Sequence, residues 1–122
     1  MADLNMSFSV SASKGTFTQM FSASGMTSDM AAAGMLAVSA TLGTAAVTLS
    51  TTSLSSLGVA VIHNFGTDAT QVVTFGRWDG TTLWGCAAPR GGEKSVMRLE
   101  PGNYAWKSSV AGTRGLVQIL EG

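Results

Sequence analysis

The sequence predicts an all-β fold: a two-sheet antiparallel sandwich or a barrel of about eight or nine short strands, with at most one short helical turn. Three observations predict it. Apolar residues recur every second position, as in Leu4, Met6, Phe8, Val10 and again in Leu36, Val38, Ala40, Leu42, which is the period of a strand with one buried face. Turn-forming pairs such as Lys14-Gly15, Asp79-Gly80 and Pro101-Gly102 punctuate these runs. No stretch carries a sustained apolar stripe at helical spacing.

Taken in order, Leu4 to Val10 predicts a half-buried strand, and Lys14-Gly15 a turn. Thr16 to Ser22 is rich in β-formers but alternates imperfectly. Residues 23–34 are the one place for a helical turn or irregular loop, with Ser28 capping Asp29 to Ala33 and Gly34 as the stop. Leu36 to Leu42 is the next strand, Gly43-Thr44 a turn and Ala46 to Leu49 a short strand. Ser50 to Ser56 is a polar loop with Leu54 tucked inward.

Gly58 to Ile62 is almost continuously apolar, which suits a strand covered on both faces. After a turn at Gly66 to Ala69, the strand Thr70 to Arg77 places Val73 and Phe75 on one face. Trp78 to Trp84 predicts a hairpin around Asp79-Gly80, and Pro89 to Gly92 a flexible loop. Ser95 to Leu99 is a strand that ends at Glu100-Pro101-Gly102-Asn103. Pro-Gly favours a type II turn, whose twist fits a tight hairpin poorly. This segment therefore predicts a corner between two sheets or a longer hairpin loop, after which Tyr104 and Trp106 share a face. Gly112 to Gly115 is a last turn and Leu116 to Leu120 the closing strand. Strand order stays open between jelly-roll and immunoglobulin-like arrangements, and residues 1–122 predict one domain.

The chain carries net charge zero, so its totals favour neither nucleic acid nor an anionic membrane as partner. Charged residues make up 11%, against about 25% in ordinary soluble domains, while 15 serines and 14 threonines supply the polarity. Such a surface has weak electrostatic protection against association. It suits either a hydroxyl-coated β-domain or one that lives against other subunits. The single cysteine, Cys86, permits no intrachain disulfide. No signal peptide is expected at Met1-Ala2-Asp3, and no apolar run approaches the length of a membrane span. These features predict a chain made in the cytoplasm.

Charge is uneven. Residues 1–76 hold only Asp3, Lys14, Asp29 and Asp68, and all three tryptophans share the C-terminal part with the remaining charges. Tryptophan and arginine are enriched at interface hot spots. Arg77, Trp78, Trp84, Arg90 and Lys94 are accordingly the candidate interface residues, Arg90 lying in a glycine-flanked loop. Alternatively the tryptophans close the end of the core.

No catalytic residues, cofactor site or metal site are expected. His63 is the only histidine and predicts a hydrogen-bonded structural residue; one histidine and one cysteine lack zinc-site spacing. Cys86 reads as a buried structural thiol. A glycosidase pair would have to be assembled from Asp79, Glu93 and Glu100, all of which lie in or beside turns, where acidic residues usually just meet water. Residues 89–94, PRGGEK, lack the phosphate-loop pattern, and the basic residues Arg77, Arg90, Lys94 and Arg98 lack an aromatic ladder for nucleic acid.

From Gly58 onward the chain runs GVAVIHNFGTDATQVVTFG, then a Trp-containing hairpin, PRGGEK, SVMRLEPG, NYAW and LVQILEG. This resembles small structural proteins of tailed bacteriophages, in which an I-x-N-x-G-x-D strand and turn precedes G-E-x-x-x-x-R-L-x-P-G and a final strand. The matching residues are Ile62, Asn64, Gly66, Asp68, Gly92, Glu93, Arg98, Leu99, Pro101 and Gly102, within residues 57–121. The resemblance implies a jelly-roll-like sandwich and a virion part: a capsid cement or decoration protein, often trimeric, that locks neighbouring major capsid subunits together at the capsid surface. Tail and neck components are implied as alternatives. A reading from another class is a carbohydrate- or receptor-binding module in which Trp78, Trp84 and Trp106 stack on sugar rings.

Overall fold

A computed structural model describes residues 4–30, 34–54 and 56–122, which form ten strands and no helix. The chain divides into two compact units, Met1–Ala31 and Ala32–Gly122.

The first unit is a two-stranded antiparallel hairpin of β1 (Leu4–Lys14) and β2 (Phe17–Ser28), turned at Gly15 with φ 61°. Strand β2 runs through residues 23–28, where the sequence left room for a helical turn. The extra residue of a bulge, spent around Gly25 at φ 72°, allows it: pairing passes from Met6↔Met26 to Phe8↔Ala23. The helical turn expected over Asp29 to Ala33 lies partly outside the described residues. The half-burial expected of Leu4 to Val10 holds only at Leu4 and Met6; Phe8 and Val10 stand 51% and 52% exposed.

The second unit is the sandwich. One sheet has the order β3 (Met35–Leu42), β10 (Thr113–Leu120), β5 (Val59–Asn64), β8 (Lys94–Arg98); the other has β4 (Val47–Leu49), β9 (Tyr104–Ser108), β6 (Val73–Trp78), β7 (Leu83–Ala87). The pairs β3–β10, β4–β9, β5–β8 and β6–β7 are all antiparallel, so the first four strands are matched in reverse by the last four. That is the winding of a jelly roll. It settles the strand order that composition and spacing leave open.

The core lies between the sheets. Ala60, Ile62, Val117 and Ile119 face it from one side and Val73, Phe75, Tyr104 and Trp106 from the other, with Leu54 packed against them as expected. Pro101-Gly102 is a corner: β8 leaves one sheet and β9 enters the other. The last turn falls at residues 109–112, earlier than the sequence suggests, because β10 already begins at Thr113, whose side chain is buried.

Asn64 closes one end of the sandwich. Its Nδ2 donates to the carbonyls of Gln71 (2.6 Å) and Pro89 (2.9 Å), and its Oδ1 accepts from Gly66 N (2.8 Å). The 89–92 segment is thereby held rather than flexible: Val73 N bonds Pro89 O at 3.1 Å and Gly92 N bonds Asn64 O at 2.9 Å. Asn64 is 2% exposed, so its amide has no water to turn to. Asn64→Ala is expected to cost about 2–4 kcal/mol of stability, measured by urea unfolding followed through tryptophan fluorescence. Ser9→Ala on the exposed hairpin is expected to leave that transition unmoved.

Candidate functional site

Strands β6 and β7 pair closely because two glycines meet. Gly76 lies opposite Gly85, and a Cβ on Gly76 would run into the Trp84 carbonyl. This register sets Arg77 directly across from Trp84 and Trp78 across from Leu83.

The connecting turn is organised by Asp79. Its Oδ1 accepts from Thr82 N (2.6 Å), Thr81 N (2.8 Å) and Thr81 Oγ1 (3.1 Å), and its Oδ2 accepts from Trp84 Nε1 at 3.1 Å. The amides of Thr82 and Thr81, then the indole, hold the Asp79 carboxyl well below the ordinary carboxylate value of 3.8. Trp84 is therefore fixed in orientation by its own turn while remaining 62% exposed. An anchored aromatic face in water is suited to binding, since little freedom remains to be lost on contact.

Across the strand, the Arg77 guanidinium lies 5.7 Å over the Tyr104 ring. Tyr104 stacks on Phe75 at 5.4 Å and donates its hydroxyl to Glu100 O at 2.6 Å, tying the ring across the Pro101-Gly102 corner. Burial pushes the Tyr104 phenol up, with the Arg77 charge opposing. A Cβ on Gly102 would press on the guanidinium at 2.6 Å, so the corner glycine leaves the space that Arg77 fills. Arg77, Cys86, Met97, Arg98 and Tyr104 line a shallow cleft of about 240 Å³ between the sheets at this edge.

Cys86 is exposed, its Sγ 3.6 Å from Trp84 O, and so is not the buried thiol expected from sequence. The reason is position: β7 is the last strand of its sheet, and Cys86 falls on the rim. His63 is half-buried, with Nε2 3.0 Å from Gln118 Oε1 and its ring stacked on Phe65 at 5.8 Å. It belongs to the other sheet from Cys86, and each has its own partner, Gln118 for His63 and the Trp84 carbonyl for Cys86. Glu93 accepts Arg90 N at 2.7 Å through Oε1, so it and Asp79 are each engaged in their own turns. Among the described residues no three His, Cys, Asp or Glu side chains gather as a metal site. Among the described residues no helix is long and apolar enough to cross a membrane.

The five candidate interface residues divide into two groups. Arg77, Trp78 and Trp84 belong to the β6–β7 hairpin, Trp78 half-buried and the other two exposed. Arg90 lies in the loop bonded to Val73, at the opposite end of β6. Lys94 stands across from His63 in the other sheet. Trp106, at 0% exposure, is a core residue and cannot stack on a sugar. Sequence reasoning missed Asp79 as the tether of Trp84 and Tyr104 as the seat of Arg77. The aspartate opening the turn five residues before a tryptophan was the available signal for the first; the second needed the fold.

Comparison with known protein families, curated proteins and solved structures finds none that matches this chain.

Because the folded Asp79 carboxyl titrates below its unfolded value, its contribution is complete above pH 4 or so and drains away as pH falls below 3.8 toward the folded value. The Trp84 indole N–H resonance, followed by NMR, is expected to hold its position from pH 7 to about 4 and to move toward the free-indole position only in stronger acid. In Asp79→Ala it is expected at the free-indole position throughout.

Proposed function

We propose that this chain is a structural protein of a tailed-phage virion, acting as a capsid cement protein that bridges adjacent major capsid subunits as a homotrimer on the capsid surface. The observation that carries this reading is where the sandwich puts its large apolar side chains. Trp84 (62%), Val96 (59%), Met35 (55%) and Phe65 (53%) stand in water on the outside. Two clefts among the described residues, by contrast, are shallow and open. Such an exposed apolar surface is suited to acting by contact.

The resemblance to phage structural proteins supports the same reading through the fold. Ile62 is a core residue, Asn64 and Gly66 form the clasp, and Asp68 Oδ1 accepts Thr70 N at 2.9 Å in the next turn. Glu93 ties down Arg90, and Pro101-Gly102 makes the corner under Arg77. The quoted motif thus consists of the residues that turn the chain in a jelly roll, an architecture shared by many capsid proteins. Net charge of zero lets many copies crowd a lattice without accumulating repulsion.

Trp84, fixed by Asp79 and flanked by Arg77, is the expected hot spot of the capsid contact. Trp84→Ala is expected to weaken binding of the purified chain to capsids by at least about tenfold, with stability changed by less than about 0.5 kcal/mol because the side chain is exposed. The reading is tested by counting copies per particle with quantitative mass spectrometry. Hundreds of copies are expected; tens would place the chain in the tail or neck, and none would overturn a virion role.

A further inference from the structure

The hairpin unit sorts its side chains by face. Residues opposite one another in an antiparallel pair share a face, so one face carries Met6, Phe8 and Val10 from β1 with Phe17, Phe21 and Met26 from β2. The other carries Asn5, Ser7, Ser9, Ser11 and Ser13 with Thr18, Ser22 and Thr27, broken only by Met20. The exchange of Gln19 and Met20 between faces, together with the bulge, is why β2 alternates imperfectly in sequence. The apolar face is in water: Phe8 is 51% exposed, Val10 52%, Phe17 59%, Phe21 58% and Met26 37%.

A lone two-stranded hairpin is marginally stable, and independent stability requires its apolar face to be covered. At roughly 200 Å² per large side chain, the five exposed residues leave about 500 Å² of apolar surface, at the upper end of what monomers tolerate as one patch. Two such faces pressed together would remove about 1,000 Å² from water, the size at which a specific interface begins.

We propose that this face packs against the same faces of the other copies in the oligomer, the hairpins converging on its symmetry axis, making the hairpin the self-association arm of the protein. Three features favour a second copy over a different protein. The patch places large beside small: Phe8 stands opposite Ala23, so each face carries both a ring and a low position over alanine that can receive one. Its only charge is Lys14, beside the turn, so a face-to-face pair desolvates no buried ion and calls for no oppositely charged partner. The hydroxyl face remains outward and solvated, as one side of an antiparallel sheet commonly is. The inference deepens the virion reading by naming where copies join, and rests on it only for the expectation that copies meet.

The test uses the full chain. Sedimentation velocity at micromolar concentrations is expected to show an oligomer, and Phe8→Ser/Phe21→Ser is expected to yield a monomer. Ser9→Lys/Ser22→Glu, a pair on the hydroxyl face, is expected to leave the oligomer intact. All three tryptophans lie in the sandwich unit, so an unchanged near-ultraviolet tryptophan spectrum shows that the sandwich is folded in each variant. A second measurement requires no disruption of the face. In a Cys86→Ser background, thiol labelling of Val10→Cys is expected to slow at least tenfold as chain concentration rises, while labelling of Ser9→Cys stays constant. A monomeric wild-type chain, or an oligomer indifferent to the apolar-face substitutions, would overturn the proposal. So would protection of Val10→Cys that does not depend on concentration, since that would mean the chain covers its own hairpin. An oligomer joined by this face but missing from virions would overturn the proposed function alone; a virion component that is monomeric in solution would overturn this inference and the trimer, and leave the virion role standing.

Discussion

The sandwich depends on one buried amide. A jelly roll needs its chain to cross between sheets at several corners, and each crossing frees backbone donors and acceptors that sheet pairing would have used. At the end of β5, Asn64 takes up three of these with one side chain, from Gly66, Gln71 and Pro89. Its own backbone binds Glu93 and Gly92, so the two crossings that meet there are secured together. No apolar residue of that size could do this, because the orphaned groups would stay buried and unpaired. At the other end of β6, Tyr104 has the matching role through Glu100 O, with Arg77 laid over its ring.

Much of this architecture was legible in the residues, because strand and turn signals are local. The alternation at Leu36 to Leu42, the Asp79-Gly80 turn and the Pro101-Gly102 corner each follow from the conformation of a few neighbouring positions. Winding order was not legible, since it depends on which distant strands pair. The loop at Pro89 to Gly92 was misjudged for a related reason. Two glycines beside a proline advertise freedom, and only Asn64, 25 residues earlier, removes it. Cys86 was misjudged because burial of a small sulfur-bearing residue is a statistical tendency, overruled by the edge position of β7.

The candidate contact site was half visible. Tryptophan and arginine mark adhesive surfaces by composition alone, which singles out Trp84 and Arg77 but equally Arg90 and Lys94, at the far end of β6 or in the other sheet. What separates the first pair is second-order geometry: a carboxylate that orients the indole and a buried phenol that seats the guanidinium. The first leaves a trace in the spacing of Asp79 and Trp84, and the second leaves none, because Tyr104 reaches Arg77 only through the pairing of β9 with β6.

Periodicity carries a more general ambiguity, and the two units display both outcomes. In β3, alternating apolar residues face a core made by the same chain; in β1 the same period yields a face left in water. Period two reports that a strand has an apolar side, and it is silent on what covers that side. The low charge of residues 1–76 bears on this point: a surface meant to stay solvated usually carries ions that resist association, and this stretch has four in all. Serine and threonine give the hairpin a polar face that does not oppose close approach, since a hydroxyl sheds water at far lower cost than a carboxylate or ammonium group. Under the proposed self-association, hydroxyl-rich polarity and an uncovered apolar face are two parts of one solution, in which a small chain keeps its core for itself and leaves the hairpin face to other copies.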